Sequence, residues 1–336
     1  MQEWQPRRGR SRRYRYSRRH ARRLRWDRVL MALAVLAGVA VLLIGLVKLI
    51  GYGVDLIASR NTANKLQTIY YAEPTDEPIL VTEAPTPTPA PPPEETPAPT
   101  PGATVSSTPL PTPTPVPRLP SVSYPDNPKL TISNRFKALR KESKYIVGWL
   151  SIHRMLDEAV VQRDNVYYLD HDAMGGKNVN GALFLDSIID LKTRPYCYNI
   201  YGHNMKSGLM FGSLRNYENR TFYHNDPFIS FDTMYESGRY VIFAVGVIST
   251  EERNPNYVDF YALCSGRVLE RQAAIDALIA ASVHTCPLDV RTDDQLLVLV
   301  TCVEKDEDRR VVVARRIREG ENEKELKRII EKSQKR

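Results

Sequence analysis

Residues 129–318 are expected to form a mainly β domain, a barrel closed or nearly closed by short strands with one helix inserted, behind a single membrane-spanning helix. Three observations predict this. Short runs rich in β-branched and aromatic residues recur between Tyr145 and Ile317; one long helical run, Glu270–Val283, lies between two of them; and 19 consecutive uncharged residues, Val29–Val47, stand near the N-terminus. About 190 residues is also enough chain to bury a full core.

Taken in order, residues 1–28 carry 12 Arg and no Lys against Glu3 and Asp27, a net of +10. The chain of 336 residues has a net charge of +8, so the other 308 residues carry −2 and the basic balance belongs to this tail. An Arg-rich segment abutting an apolar run suits anionic lipid headgroups, and no nucleic-acid partner is expected. At ~1.5 Å per residue, a helix over 29–47 nearly crosses a ~30 Å hydrocarbon core. The 12 Arg before it outweigh Lys48, Arg60 and Lys65 after it, which orients the N-terminus to the cytoplasm and the rest outside. A cleaved signal peptide fits less well, because the run is long and Gly51-Tyr52-Gly53 is the only small-x-small step beyond it.

Residues 48–73 have too little apolar periodicity for a domain and read as a juxtamembrane stalk with a short helix. Of 24 Pro, 17 lie between Pro74 and Pro120, where repeated Thr-Pro and Ala-Pro steps make residues 74–120 a Pro/Thr-rich extracellular linker. Such steps favour polyproline II, roughly 145 Å long if fully extended. A helix is expected over 131–143, with Phe136 and Leu139 on one face and Ser133 as its cap. Strands are expected over Tyr145–Ile152, Val166–Leu169, Arg239–Ile248, Asp259–Cys264, Gln295–Cys302 and Arg310–Ile317. Residues 319–336 read as a charged helix with Leu326, Ile329 and Ile330 on one face, a solvated appendage or a partner helix.

Four Cys in this length exclude a disulfide-built scaffold. Cys302 has the most informative setting: it ends the apolar strand Leu296–Thr301 and precedes an acidic turn, Val303–Arg309, and a second strand. In such a hairpin, the last residue of one strand and the first of the next are expected side by side, here Cys302 and Arg310. A guanidinium there favours the thiolate and holds a developing oxyanion. The competing reading is a buried structural Cys beside a surface Arg. A Cys-x5-Arg phosphatase loop is excluded, because Asp308 stands where the Arg is needed and Glu304, Asp306, Glu307 and Asp308 would repel phosphate.

A thiol nucleophile needs a proton partner, and His203 is the best placed of six His, in Tyr201-Gly202-His203-Asn204-Met205 at a strand end. His284, two residues from Cys286, offers a competing pair without a neighbouring Arg-bearing hairpin. Cys197 and Cys264 read as packing residues, and a Cys264–Cys286 disulfide stays open.

From about Phe136 to Arg318 the chain resembles a class B sortase, the membrane-anchored cysteine transpeptidases of Gram-positive bacteria. Five ordered blocks carry the resemblance: Val147-Gly148-Trp149-Leu150-Ser151-Ile152; Val160-Val161-Gln162 with Asp164-Asn165 and Tyr168-Leu169; Gly181 to Asp186; Tyr201 to Met205 with Met210-Phe211-Gly212; and Val300-Thr301-Cys302 with Arg310 to Ala314. The resemblance implies a closed sortase-type β-barrel with a helix inserted before the nucleophile strand and an N-terminal helix. It implies His203, Cys302 and Arg310 as the catalytic residues; Arg309 is set aside because the family's Arg directly precedes the Val-rich strand. Asn165 and Thr301 are implied as substrate-binding residues. Val298 stands where the family's usual motif has Thr.

The activity so implied is cleavage of a Thr-containing C-terminal sorting signal of surface proteins through a Cys thioester. The acyl group then passes to an amine of peptidoglycan or a pilin, and no metal or organic cofactor is expected. Two alternatives stay open, a hydrolytic cysteine peptidase and a non-catalytic, wall-projected binding module.

Overall fold

The β-branched runs pair with one another until the sheet has no free edge. The computed structural model describes residues 26–72, 117–303 and 307–336, with the backbone alone at Cys302. The Arg-rich tail as far as residue 25, most of the Pro-rich linker and residues 304–306 lie outside the described residues. Among the described residues, eight strands form a closed barrel: β1 (Ile146–Ile152), β2 (Leu156–Val161), β3 (Leu183–Leu185), β4 (Cys197–Tyr201), β5 (Phe228–Thr233), β6 (Arg239–Ser249), β7 (Leu296–Cys302) and β8 (Asp308–Arg316). Their order around the barrel is β1-β2-β3-β4-β7-β8-β6-β5, with β2–β3 and β4–β7 parallel. Closure leaves no unpaired edge for another chain to add to.

Strand alternation divides the core in two. Leu150, Val160, Leu183, Ile200, Leu299 and Val312 belong to the main cluster. Trp149, Ala159, Val161 and Phe184 face an outer layer with α2 (Asn134–Glu142), whose Phe136 and Leu139 are buried as the periodicity requires. Ser133 stands at the N-cap of α2 but makes no side-chain cap bond; its N–H donates to the Met234 carbonyl. The inserted helix, α4 (Val268–Ala281), lies before β7 as expected.

Two expected strands are short 3₁₀ turns, Tyr167–Leu169 and Phe260–Cys264. In each, an Asp side chain takes over. Asp164 accepts from the Val166 and Tyr167 amides, and Asp259 from those of Tyr261 and Ala262. A carboxylate satisfying two successive N–H groups offers the backbone a turn in place of a ladder, which outweighs β propensity. Strands β2, β3 and β5 were not expected, and β4 only as the strand whose end precedes His203.

The described chain divides between Tyr52 and Gly53 into two units. The helix α1 (Trp26–Ala72) is the one helix among the described residues long and apolar enough to cross a membrane, and its apolar stretch is exposed. Its last part, within the second unit, is not a free stalk. Leu66 and Tyr70 are buried, and Tyr70 stacks on Trp149 with ring centroids 4.3 Å apart and planes 8° apart. The Tyr70 hydroxyl donates to Asp232, Tyr71 to Asp157, and the Gln67 amide to the Asp157 carbonyl. After the linker, the chain rejoins the same unit: Pro117 and Leu119 bond Val268 and Gly266. The C-terminal helix α5 (Glu323–Ile330) is likewise packed rather than solvated, because Leu326 and Ile330 enter the main core and Glu323 pairs with Arg239.

One half-buried carboxyl sets a pH dependence. Burial and then Asp157 push the Glu158 carboxyl, across from Leu150 on β2, up to about 7. Its folded pKa lies above the unfolded value, so its contribution is fully present below about pH 4.3 and is lost as pH rises through 7. Glu158→Gln is therefore expected to match the parent at pH 4 and to exceed it by about 1–3 kcal/mol at pH 8. Thermal melts at the two pH values check this, and equal differences at both would contradict it.

Candidate active site

Strands β4 and β7 run side by side in parallel, with Tyr201 opposite Val300, and the Gly202 amide extends the ladder to the Val300 carbonyl at 3.2 Å. Two residues further along each chain come His203 and Cys302. Gly202 is required here: a Cβ would stand 2.5 Å from the Leu183 side chain and 3.0 Å from the Phe211 ring. On the other side of β7, β8 pairs antiparallel. The expected pairing of Cys302 with Arg310 is shifted by one residue, since Cys302 lies opposite Arg309 and Thr301 opposite Arg310. The reason is that β8 begins at Asp308, two residues earlier than its β-branched content suggests.

Because side chains alternate across a strand, the adjacent Arg309 and Arg310 take opposite faces, and the register decides which of them shares the face of Thr301. Arg310 shares the face of Thr301, and its Nε and Nη2 reach Glu218 Oε1 at 3.0 and 2.9 Å with 14% of the side chain exposed. Arg309 shares the face of Val300, Val311 and Tyr201; its Nη1 donates to the Asp308 carbonyl at 2.9 Å. At this end of the β4-β7-β8 triplet the backbone of Cys302 lies opposite Arg309, the segment leading to His203 runs on beside β7, and the Arg310 side chain reaches Glu218.

The His203 Nε2 lies 2.6 Å from the Leu169 carbonyl oxygen. A carbonyl only accepts, so Nε2 carries the proton, and in the neutral ring Nδ1 holds the free lone pair. Leu169 ends the 3₁₀ turn that follows Asn165. Asn165 is spoken for within the fold: its Nδ2 donates to Asp186 Oδ1 and its Oδ1 accepts from the Ser187 amide, both at 2.9 Å. Thr301 is 2% exposed, and its hydroxyl has no partner among the described residues.

Sequence reasoning missed Asp186 as a site organiser, although its block was noted. Fully buried, Asp186 accepts from Asn165, from the Ile188 amide and from the Tyr201 hydroxyl at 2.7 Å. The Tyr201 and Tyr261 hydroxyls are 3.0 Å apart. Burial, then the bonds to Tyr261 and Asp186, raise the Tyr201 pKa far above its ordinary value, so it stays a neutral donor. Leu169, Tyr261, Val166 and Ile188 expose their apolar side chains around this network. A buried carboxylate surrounded by exposed apolar groups makes a surface suited to an extended peptide rather than a closed small-molecule cavity.

The competing pair does not form a dyad. His284 is 1% exposed, stacks on Tyr223 and sets its Nε2 2.7 Å from the Tyr217 carbonyl, and burial holds its pKa below the usual value. Cys264 and Cys286 are free thiols. Cys264 lies instead against the Cys197 carbonyl and the Asn199 amide, and burial raises the Cys286 thiol.

No family model matches the chain. Among curated proteins, sortase B of Listeria monocytogenes is 31% identical over 188 residues, covering 52% of this chain and 70% of that protein. Sortase B of Staphylococcus aureus is 28% identical over 189 residues, 54% and 74% of the two chains. The crystal structure of sortase B from Bacillus anthracis superposes with a TM-score of 0.50 at 26% identity, over 59% of this chain and 89% of that one. A second Bacillus anthracis structure, of a protein described as similar to sortase B, gives 0.50 at 27% identity over 60% and 88%. With this identity across more than two thirds of a known sortase B, and with the shared barrel, the chain belongs to the class B sortases, a family of cysteine transpeptidases.

Proposed function

We propose that this sortase is held by one membrane span and joins surface proteins, cleaved at a C-terminal sorting signal, to an amine. The Arg-rich tail would lie in the cytoplasm and the barrel outside, by the charge bias around Val29–Val47. What supports the chemistry is that the strands leading to His203 and Cys302 end side by side, with Arg309 across the hairpin from Cys302, beside the exposed apolar rim of Leu169 and Tyr261.

In this reading the Cys302 thiolate attacks the Thr carbonyl of an Asn-Pro-x-Thr or Pro-x-Thr-Gly signal. The guanidinium across the hairpin steadies the tetrahedral oxyanion, and the register favours Arg309 over Arg310 for that role. His203, protonated at Nδ1 by the Cys302 thiol, gives that proton to the leaving amine, which departs as the thioester forms. It then takes a proton from the incoming amine of peptidoglycan or a pilin as the thioester carbonyl is attacked. Asn165 acts on the substrate side by holding Asp186 and the Ser187 turn in place. Thr301 acts from beneath, as a buried neighbour of the nucleophile.

Transfer and hydrolysis share the thioester and differ in what breaks it. With an amine acceptor present, the amide product is expected to exceed the free acid several-fold. Free acid as the main product at millimolar amine would instead mark a hydrolytic peptidase.

A further inference from the structure

We infer that the membrane-proximal part of α1 reaches the active site, and that Ser59 is a positioning residue for His203. The inference rests on the role proposed above for His203. Ser59 lies 144 positions before His203 in the sequence, yet three buried polar side chains join its helix to the segment against the imidazole.

Ser59, Asn178 and Asn180 are 7%, 2% and 0% exposed. The Ser59 hydroxyl accepts from Asn180 Nδ2 at 2.9 Å, and its one proton is shared between the Asp55 carbonyl at 3.0 Å and Asn178 Oδ1 at 3.2 Å. Asn178 Nδ2 in turn donates to the Asp55 carbonyl, one helical turn earlier, at 3.0 Å. Asn178 also organises its own turn, accepting from the Asn180 amide through Oδ1 and from the Gly181 amide through its carbonyl. A second tie stands three residues along the helix, where Thr62 Oγ1 donates to Asp172 Oδ2 at 3.0 Å.

The turn ends at Gly181, with φ of +63°, and this is where it meets the site. A Cβ here would lie 2.5 Å from the Tyr168 carbonyl oxygen, 3.0 Å from the Leu169 carbonyl oxygen and 3.2 Å from His203 Cδ2. The backbone of residue 181 therefore lies against both the imidazole and the carbonyl that holds its Nε2. Moving the turn moves both the ring's wall and its hydrogen-bond acceptor. Proton transfer depends steeply on heavy-atom separation, so a small displacement acts on the chemical step more than on peptide binding. Without the Ser59 hydroxyl, Asn180 Nδ2 loses its acceptor in a buried place while Asn178 Oδ1 keeps only the Asn180 amide, and the turn relaxes toward other partners.

The test uses the full chain in detergent micelles, a peptide that forms the thioester, and hydroxylamine as the amine. Ser59→Ala is expected to lower kcat about 5- to 20-fold with KM for the peptide within twofold. Ser59→Thr, which restores a hydroxyl, should return kcat to within threefold of the parent. His203→Ala, run beside them, should be inactive. Wild-type kcat in Ser59→Ala with an inactive His203→Ala would overturn the inference and leave the role of His203 standing. So would a Thr variant as slow as the Ala variant, which would mark a packing defect. Activity surviving in His203→Ala would overturn both.

Discussion

Cys302→Ala is expected to abolish the acyl-enzyme and to lower transpeptidation by roughly 10⁴-fold or more, because every later step passes through its thioester. The other described thiols offer no substitute. Cys197 is fully buried at the start of β4, and burial raises its pKa well above the ordinary thiol value; Cys286 bonds the Leu288 carbonyl away from the His203 end. Cys286→Ser should leave the rate within twofold of the parent. Assay of both variants with one peptide and one amine checks the pair, and retained transfer in Cys302→Ala would remove the nucleophile from the account.

The second large effect separates two adjacent arginines. Arg309→Ala is expected to cost about 10²–10³ in kcat, the loss typical of removing one donor from an oxyanion site. Arg309→Lys should recover only part of it, since an ammonium does not reproduce the planar fork. Arg310→Ala breaks the pair with Glu218 on the other face, so its effect should fall on stability, with kcat within about fivefold of the parent. Steady-state kinetics beside thermal melts read both quantities. The inverse pattern, a fast Arg309→Ala and a slow Arg310→Ala, would return the oxyanion role to Arg310.

The expected pairing of Cys302 with Arg310 differs from the register for a local reason. Val311, Val312 and Val313 announce a strand, whereas Asp308 and Arg309 do not, so the strand is expected to begin two residues late. A shift of one residue in a hairpin changes which side chains share a face, and composition does not carry that information. By contrast β7, β8 and α4 were legible, because each is built from an unbroken run of residues suited to it and lies where the main core needs it. The 3₁₀ turns at Tyr167–Leu169 and Phe260–Cys264 were misread because one Asp in each commits the backbone to a turn among strand-forming aromatics.

The supposed stalk was misread for a different reason. Its contact with the barrel is carried by Leu66 and Tyr70 together with Ser59, Thr62, Gln67 and Tyr71, so polar side chains do much of the joining. Hydrophobic periodicity does not register such a face. In α5 the stripe of Leu326 and Ile330 was visible, while its partner in the core was not, because a stripe alone does not say what covers it. His203 and Cys302 are singled out by their local settings, while the parallel β4–β7 pairing that sets the ends of their strands side by side joins segments almost a hundred residues apart.

Intact mass of the full chain after brief mixing with a library of sorting-signal peptides tests the central claim most directly. The account predicts a covalent adduct of the mass of the acyl fragment, mapped to Cys302, sensitive to hydroxylamine and absent in Cys302→Ala. A library that leaves the parent mass unchanged, or an adduct mapped to another cysteine, would contradict it.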